Sequence, residues 1–195
     1  MTTPKPSLMA ELRSQVQILG GFVLLIWITE IVDQLFFRGS LDRFGIYPRS
    51  IESLPHILFA PFLHGGYYHV AANTVPFLVL GWLVMLRNRS EFWLVSIITA
   101  LASGLGTWVF GRSAYHIGAS GMIFGYFGYL LLRGYFERSL TAIVISLLVG
   151  VSYGGMIFGI LPTRSWVSWE GHLFGFLGGV LCARLLSADP QDSNI

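Results

Sequence analysis

The sequence has little charge. Only 11% of its 195 residues are Asp, Glu, Lys or Arg, whereas 54% are hydrophobic. Soluble globular domains carry about 25% charged residues, so this composition excludes an ordinary soluble domain and indicates a membrane protein. The net charge of +2 is small and dispersed. We therefore expect no nucleic-acid partner.

Cysteine and metal-binding motifs are also scarce. The single cysteine, Cys182, excludes an internal disulfide and a cysteine-rich metal site. The sequence contains no HExxH zinc motif, and no pair of aspartates lies within the apolar segments. The sequence therefore predicts no metal site of these kinds, and serine chemistry is the hydrolytic option that remains.

Long hydrophobic runs, by contrast, recur along nearly the whole chain. A helix needs roughly 20 residues to cross a hydrocarbon core of about 30 Å. This criterion predicts an all-α membrane protein, a single domain over residues 1–195 with six transmembrane helices. The predicted helices span residues 17–37, 68–86, 92–110, 120–136, 139–161 and 171–187. The long connection between the first two mixes aromatic, aliphatic and charged residues, so we expect it to lie in the membrane interface.

Lysine and arginine near helix ends favour the cytoplasmic side of a membrane. With the N-terminus inside, seven such residues face the cytoplasm and five face outward. The inner set is Lys5, Arg13, Arg87, Arg89, Arg133, Arg138 and Arg184, and the outer set is Arg38, Arg43, Arg49, Arg112 and Arg164. We therefore expect a cytoplasmic N-terminus.

Polar side chains inside a membrane are costly, so each one suggests a function. Three sets stand at predicted helix starts: His69 and Asn73 in the second helix, Ser120 in the fourth and His172 in the sixth. Consecutive spanning helices alternate in direction, so these three starts share one side of the membrane. With a cytoplasmic N-terminus, that side is extracytoplasmic.

Stripes of small residues in the fourth and sixth helices predict close helix packing. The stripes are Gly121, Gly125 and Gly128, and Gly175, Gly179 and Ala183. Because His172 heads the second stripe and Ser120 borders the first, their contact would place a base beside a nucleophile. His69 and Asn73, four residues apart on one helix face, are candidate donors to an oxyanion. The backbone N–H of Ser120, at a helix start, is a third.

Other interpretations compete with this one. A serine in a membrane helix is more often a packing residue, but its coincidence with a histidine and a donor pair favours chemistry. Glu170 lies two residues before His172 and points to another side of a helix, so a Ser–His dyad is the more economical hypothesis. Glu30 and Asp33 fit a proton or ion site, although we favour a role in anchoring the loop. A transporter needs a path at the midplane, and the spans offer no charge there.

Three motifs at these positions resemble those of the rhomboid intramembrane serine proteases. They are the GASG sequence at 118–121, the GHLFG sequence at 171–175 and the HVAAN sequence at 69–73. The resemblance covers about residues 47–183. It implies a bacterial-type six-helix bundle in the plasma (inner) membrane, with an interfacial first loop and a cavity open to the outside. It also implies cleavage, without a cofactor, of transmembrane proteins whose helices contain helix-weakening residues.

The resemblance also implies roles for individual residues. Ser120 would be the nucleophile and His172 the general base, with His69, Asn73 and the Ser120 backbone forming the oxyanion hole. The supporting residues would be Gly118, Gly121, Phe124, Gly175 and His64. Many members have tyrosine where this chain has Phe124, and we expect its ring still to stack on the imidazole. A catalytically inactive, client-binding rhomboid-like protein is the alternative, although such relatives usually lack the serine or the histidine.

Overall fold

A computed structural model describes residues 7–163 and 167–187. Within them the chain forms six α-helices: α1 (Leu8–Val32), α2 (Tyr67–Met85), α3 (Arg89–Phe110), α4 (Ser120–Glu137), α5 (Leu140–Tyr153) and α6 (Trp169–Leu185). In these residues the only extended pairing is one antiparallel bridge between Ile46 and His116. The predicted all-α class is therefore confirmed. Lys5 and Arg164, which entered the orientation prediction, lie outside the described residues.

Among the described residues, four helical segments are long and apolar enough to cross a membrane: Leu8–Phe37, Tyr67–Met85, Arg89–Phe110 and Leu140–Ile160. Helices α4 and α6, with 18 and 17 residues, do not meet this criterion. Both are rich in glycine and pack inside the bundle, where a helix needs no continuous apolar surface toward lipid. By length and composition these segments indicate a multi-pass membrane protein. The crossing of the membrane by α4 and α6 stays a prediction.

Helix α1 begins at Leu8, well before the predicted start at residue 17. The hydroxyl of Ser7 caps it by accepting the N–H of Ala10 at 3.3 Å. Hydropathy locates the apolar part of a helix, and it misses the first turns of α1, where polar residues such as Glu11, Arg13 and Gln15 interrupt the apolar ones. The last turn of the predicted span, Asp33–Phe37, is a π-helix.

The predicted fifth helix, residues 139–161, consists of two parts. Helix α5 ends at Tyr153, and a 3₁₀-helix, Gly154–Ile160, follows. The change begins at Gly154, whose lack of a side chain gives the backbone freedom that disfavours a regular α-helix. As a result, the 3₁₀-helix reaches the start of α6, where Gly159 contacts His172.

Helices α4 and α6 approach each other through backbone atoms. A Cβ added at Gly175 would overlap the carbonyl oxygen of Gly121, and one added at Gly179 would overlap that of Gly125. The α4 glycines also face α3, because a Cβ at Gly121 would overlap the side chain of Ser103. Gly121 and Gly125 of the predicted α4 stripe therefore serve two neighbours, since their Cα atoms face α3 and their carbonyls face α6.

The first loop, residues 38–66, folds into three 3₁₀-helices: Ser40–Phe44, Ile51–Leu58 and Ala60–Phe62. It supports the segment that leads into α4. The backbones of Ile46 and His116 exchange hydrogen bonds of 2.9 Å, and the N–H of Gly118 donates to the carbonyl of Ala60 at 2.8 Å. The first loop thereby fixes the backbone that precedes Ser120.

Acidic residues connect α1 to this loop. The carboxylate of Asp33 accepts the N–H of Leu41 at 3.0 Å, and Glu30 accepts from the side chain of Gln34 at 2.9 Å. The Asp33 contact supports an anchoring role for that residue, whereas the Glu30 contact lies within the first helical segment. Burial, with smaller contributions from Asp33 and Glu30, raises the pKa of Asp42 from 3.8 to about 6. Because the folded state holds this proton more tightly, the fold loses stability as rising pH deprotonates Asp42.

Candidate active site

The starts of α4 and α6 bring Ser120 and His172 together. The Nε2 atom of His172 lies 2.8 Å from the Oγ atom of Ser120, although 52 residues separate them in the chain. A histidine nitrogen at this distance is able to take the hydroxyl proton as the oxygen attacks. The pair has the geometry of a base beside a nucleophile.

The second imidazole nitrogen fixes which tautomer is present. The Nδ1 atom of His172 lies 3.0 Å from the carbonyl oxygen of Gly159. A carbonyl only accepts hydrogen bonds, so in the neutral ring Nδ1 carries the hydrogen and Nε2 accepts from Ser120. Sequence reasoning missed Gly159, because a backbone carbonyl leaves no signal in the residue type and its position depends on the 3₁₀-helix.

The face of the same imidazole is covered by Phe124. The two rings are stacked, with centroids 4.0 Å apart and an angle of 8° between their planes. Phe124 lies four residues after Ser120, one helical turn along α4 and on the same side. The imidazole is thus held by Ser120, by Gly159 and by an aromatic ring, and only 8% of the His172 surface is exposed.

His69 and Asn73 converge on Gly118, just before the candidate nucleophile. The Nδ1 atom of His69 accepts the N–H of Gly65 at 3.2 Å, so its Nε2 atom carries the hydrogen in the neutral ring. A Cβ at Gly118 would lie 2.8 Å from that Nε2 atom and 3.8 Å from Nδ2 of Asn73. Gly118 also has φ of +110°, which favours glycine. Its missing side chain leaves the space in which both donors point.

His64 lies beneath the same loop. Its Nε2 atom accepts the N–H of Ala119 at 3.4 Å, and the residue is 1% exposed. Burial, followed by the neighbouring His69, lowers the pKa of His64 to about 3. The ring is therefore neutral at physiological pH and keeps a lone pair for this contact. His64 supports the loop and does not touch Ser120.

A second polar cluster joins the loop after α3 to Ser168 and the first turn of α6. Glu170 accepts from the guanidinium of Arg112 at 3.0 Å and from its backbone N–H at 3.1 Å. The Nδ1 atom of His116 lies 2.6 Å from the Oγ atom of Ser168, and burial lowers the pKa of His116. Glu170 is therefore occupied by Arg112 and not by His172. The His116–Ser168 contact had no sequence signal, because the two residues lie in separate loops.

The three helix starts line a common cavity of about 720 Å³. Its walls include His69, Asn73, Ser120 and His172, together with Met156 of the 3₁₀-helix that follows α5. This volume is within the range of ligand sites in proteins. Among residues 7–163 and 167–187, no three His, Cys, Asp or Glu side chains are grouped to hold a metal ion.

Comparison with known proteins identifies the family. The family model of the rhomboid domain matches residues 52–189 of the sequence. This range contains the starts of α2, α4 and α6. The chain belongs to the rhomboid family. An uncharacterised Mycobacterium tuberculosis protein is 46% identical to this rhomboid protein over 181 residues, which cover 87% of this chain and 74% of that protein.

More distant relatives carry the family name. A Bacillus subtilis protein, described provisionally as a rhomboid protease, is 32% identical over 132 residues, or 63% of this chain and 62% of that protein. An Arabidopsis thaliana rhomboid-like protein is 31% identical over 146 residues, which cover 69% of this chain and 34% of the plant protein. The rhomboid chain described here is a multi-pass helical membrane protein with bacterial relatives.

Proposed function

We propose that this rhomboid protein is an intramembrane serine endopeptidase that cleaves peptide bonds in or near the transmembrane segments of other membrane proteins. The observation that carries the proposal is the 2.8 Å contact between Nε2 of His172 and Oγ of Ser120. The bond from Nδ1 to the carbonyl of Gly159 supports it, because it leaves Nε2 free to accept the proton. Ser120 is the proposed nucleophile and His172 the proposed base.

In the proposed reaction, Nε2 of His172 takes the hydroxyl proton as Ser120 Oγ bonds to the carbonyl carbon of the substrate. Negative charge develops on the carbonyl oxygen, and Nε2–H of His69, the side-chain amide of Asn73 and the backbone N–H of Ser120 donate to it. Collapse breaks the C–N bond, and the imidazolium returns its proton to the leaving amine. Water, deprotonated by the same imidazole, then hydrolyses the acyl-enzyme.

The proposed substrate is a single-pass or other transmembrane protein. A membrane helix satisfies all of its amides internally, so its scissile segment must unwind before Ser120 is able to attack. Helix-weakening residues such as glycine and proline therefore favour cleavage, and family resemblance suggests a small residue before the cut bond. We propose a bacterial plasma membrane location, a cytoplasmic N-terminus and a cavity that opens to the extracytoplasmic side.

Purified full-length protein in detergent tests this proposal. We expect it to cleave a model transmembrane substrate and to react with a fluorophosphonate, and we expect Ser120→Ala to abolish both. His172→Ala should be nearly inactive, and wild-type activity should fall as pH drops through the pKa of His172. Ser152→Ala, which removes an exposed serine of α5, is the matched control. Persistent labelling of Ser120→Ala would exclude Ser120 as the nucleophile.

The second candidate function is client binding without catalysis, as in inactive rhomboid-like proteins. The dyad geometry argues against it. A folded wild-type protein that binds the model substrate, leaves it intact and does not react with fluorophosphonate would favour client binding over proteolysis.

A further inference from the structure

We infer that the main-chain carbonyl of Gly159 is the group that orients the catalytic histidine, in the position that a carboxylate side chain occupies in a Ser–His–Asp triad. The carbonyl oxygen lies 3.0 Å from Nδ1 of His172. This inference rests on the proposed proteolytic function and adds a positioning residue to it.

A dyad needs such a group. A free imidazole exchanges its hydrogen between Nδ1 and Nε2, and only the tautomer with the hydrogen on Nδ1 leaves Nε2 able to accept from Ser120. In the serine protease triad, an orienting group that selects the wrong tautomer lowers kcat about 10⁴-fold. The carboxylate nearest in sequence, Glu170, is paired with Arg112. The carbonyl of Gly159 is the acceptor that meets Nδ1.

Close packing of the 3₁₀-helix Gly154–Ile160 against the stacked rings makes this contact possible. A Cβ at Gly159 would lie 2.5 Å from Cζ of Phe124 and 3.5 Å from Nδ1 of His172. Any side chain at this position would therefore push the segment or the Phe124 ring away. By contrast, a Cβ at Gly155 would meet no atom within 4 Å. Position 159 needs glycine, whereas position 155 in the same segment has open space.

One consequence is that the end of α5 and the catalytic base are coupled. The acceptor for Nδ1 belongs to the segment that follows α5, while the ring belongs to α6. A displacement of about 0.5 Å along the bond would stretch it to the limit of hydrogen-bond geometry. The tautomer of His172 therefore depends on where the 3₁₀-helix lies, and not on α4 and α6 alone.

The test compares Gly159→Ala with the matched control Gly155→Ala in the full-length protein. We expect Gly159→Ala to lower kcat for a model transmembrane substrate about 10- to 100-fold with little change in KM, because the ring loses its orientation while the cavity stays open. Gly155→Ala should keep the wild-type kcat. Thermal unfolding of both variants shows whether either fails to fold.

Nitrogen-15 NMR of protein labelled at histidine reports which ring nitrogen of His172 carries the hydrogen. If Gly159 had a merely structural role, its replacement would not change this tautomer. The chain has five histidines, and the His172 signals are assigned by their loss in His172→Ala. In the neutral wild-type ring we expect a protonated Nδ1 and an unprotonated Nε2. In Gly159→Ala we expect a mixture of both tautomers.

A second variant weakens the Gly159 carbonyl as a hydrogen-bond acceptor without adding a side chain. Replacing the peptide bond between Gly159 and Ile160 with an ester, by translation with the hydroxy acid analogue of isoleucine, weakens the Gly159 carbonyl as an acceptor. The same replacement between Ile157 and Phe158 is its control, because it removes an N–H from the same segment. We expect kcat to fall only for the first ester.

The outcomes separate the two levels of the proposal. A wild-type protein without protease activity would overturn the proposed function itself. An active wild type whose kcat and tautomer are unchanged by the Gly159 ester would overturn the role of the carbonyl alone. If Gly159→Ala unfolds, the comparison of the two esters decides.

Discussion

Replacing Gly175 with alanine tests whether the close contact of α4 and α6 sets the geometry of the dyad. Gly175 lies one turn after His172 on the same face of α6, and it meets Gly121, the residue that follows Ser120. The new methyl group would overlap the carbonyl oxygen of Gly121 and lie 2.9 Å from its carbonyl carbon. Carbon atoms in contact are about 3.5 Å apart or more, so the helices must separate by at least ~0.6 Å.

This separation is large on the scale of the dyad. If it lies along the Ser120–His172 contact, the distance from Nε2 to Oγ grows from 2.8 Å to about 3.4 Å, beyond a normal hydrogen bond. A misplacement of about 1 Å costs about 100-fold in rate. We therefore expect Gly175→Ala to lower kcat/KM by about 10- to 100-fold, equivalent to about 1.4 to 2.7 kcal/mol.

The assay is the rate of fluorophosphonate labelling together with cleavage of a model transmembrane substrate. Measurements are made below the unfolding temperature of each variant, so that lost stability is not read as lost chemistry. Gly21→Ala in α1 is the matched control, since its Cβ would meet no atom within 4 Å. A folded Gly175→Ala protein with the wild-type labelling rate would refute the link between helix contact and dyad geometry.

Three further predictions concern the surroundings of the site. Phe124→Ala should lower the fluorophosphonate labelling rate about two- to tenfold, since a stacked aromatic pair contributes about 0.5 to 1.5 kcal/mol. An unchanged rate would contradict a positioning role for stacking. Asp42→Asn should raise the free energy of unfolding by ~1 to 2 kcal/mol at pH 8, because it removes a carboxylate whose charged form the fold disfavours. This value is discounted for partial solvent exposure, and the gain should vanish near pH 4. A gain of equal size at both pH values would contradict the raised pKa of Asp42. Glu170→Gln should lower stability by about 1 to 2 kcal/mol through the lost ion pair with Arg112, while labelling falls less than tenfold; a 10⁴-fold loss would indicate that Glu170 acts as a triad member.

Much of the fold was predictable because a membrane-spanning helix requires a long run of apolar residues, which a hydropathy plot detects. The apolar runs located α2 and α3 within a few residues, and alternation of direction placed the starts of α2, α4 and α6 on one side. The structure brings these three starts to one cavity. Hydropathy did not locate the start of α1, because polar residues such as Glu11 and Arg13 interrupt its first turns. It also did not separate α5 from the 3₁₀-helix that follows Tyr153.

The candidate site was also predictable only in part. Residue types and spacing pointed to Ser120, His172, His69 and Asn73, because a nucleophile, a base and amide or imidazole donors are side-chain properties. The glycine stripe of α4 predicted close contact, but it did not show that α3 and α6 share the stripe.

The sequence by itself determined the class of protein, the order of the helices and the side chains that are able to carry chemistry. Tertiary structure alone decided that Gly159 meets His172, that Arg112 takes Glu170 and that Gly118 makes room for His69. The physical reason is that these contacts involve backbone atoms, loop residues and absent side chains. The positions of these atoms depend on how the helices and loops pack against one another. Residue type alone does not specify that packing.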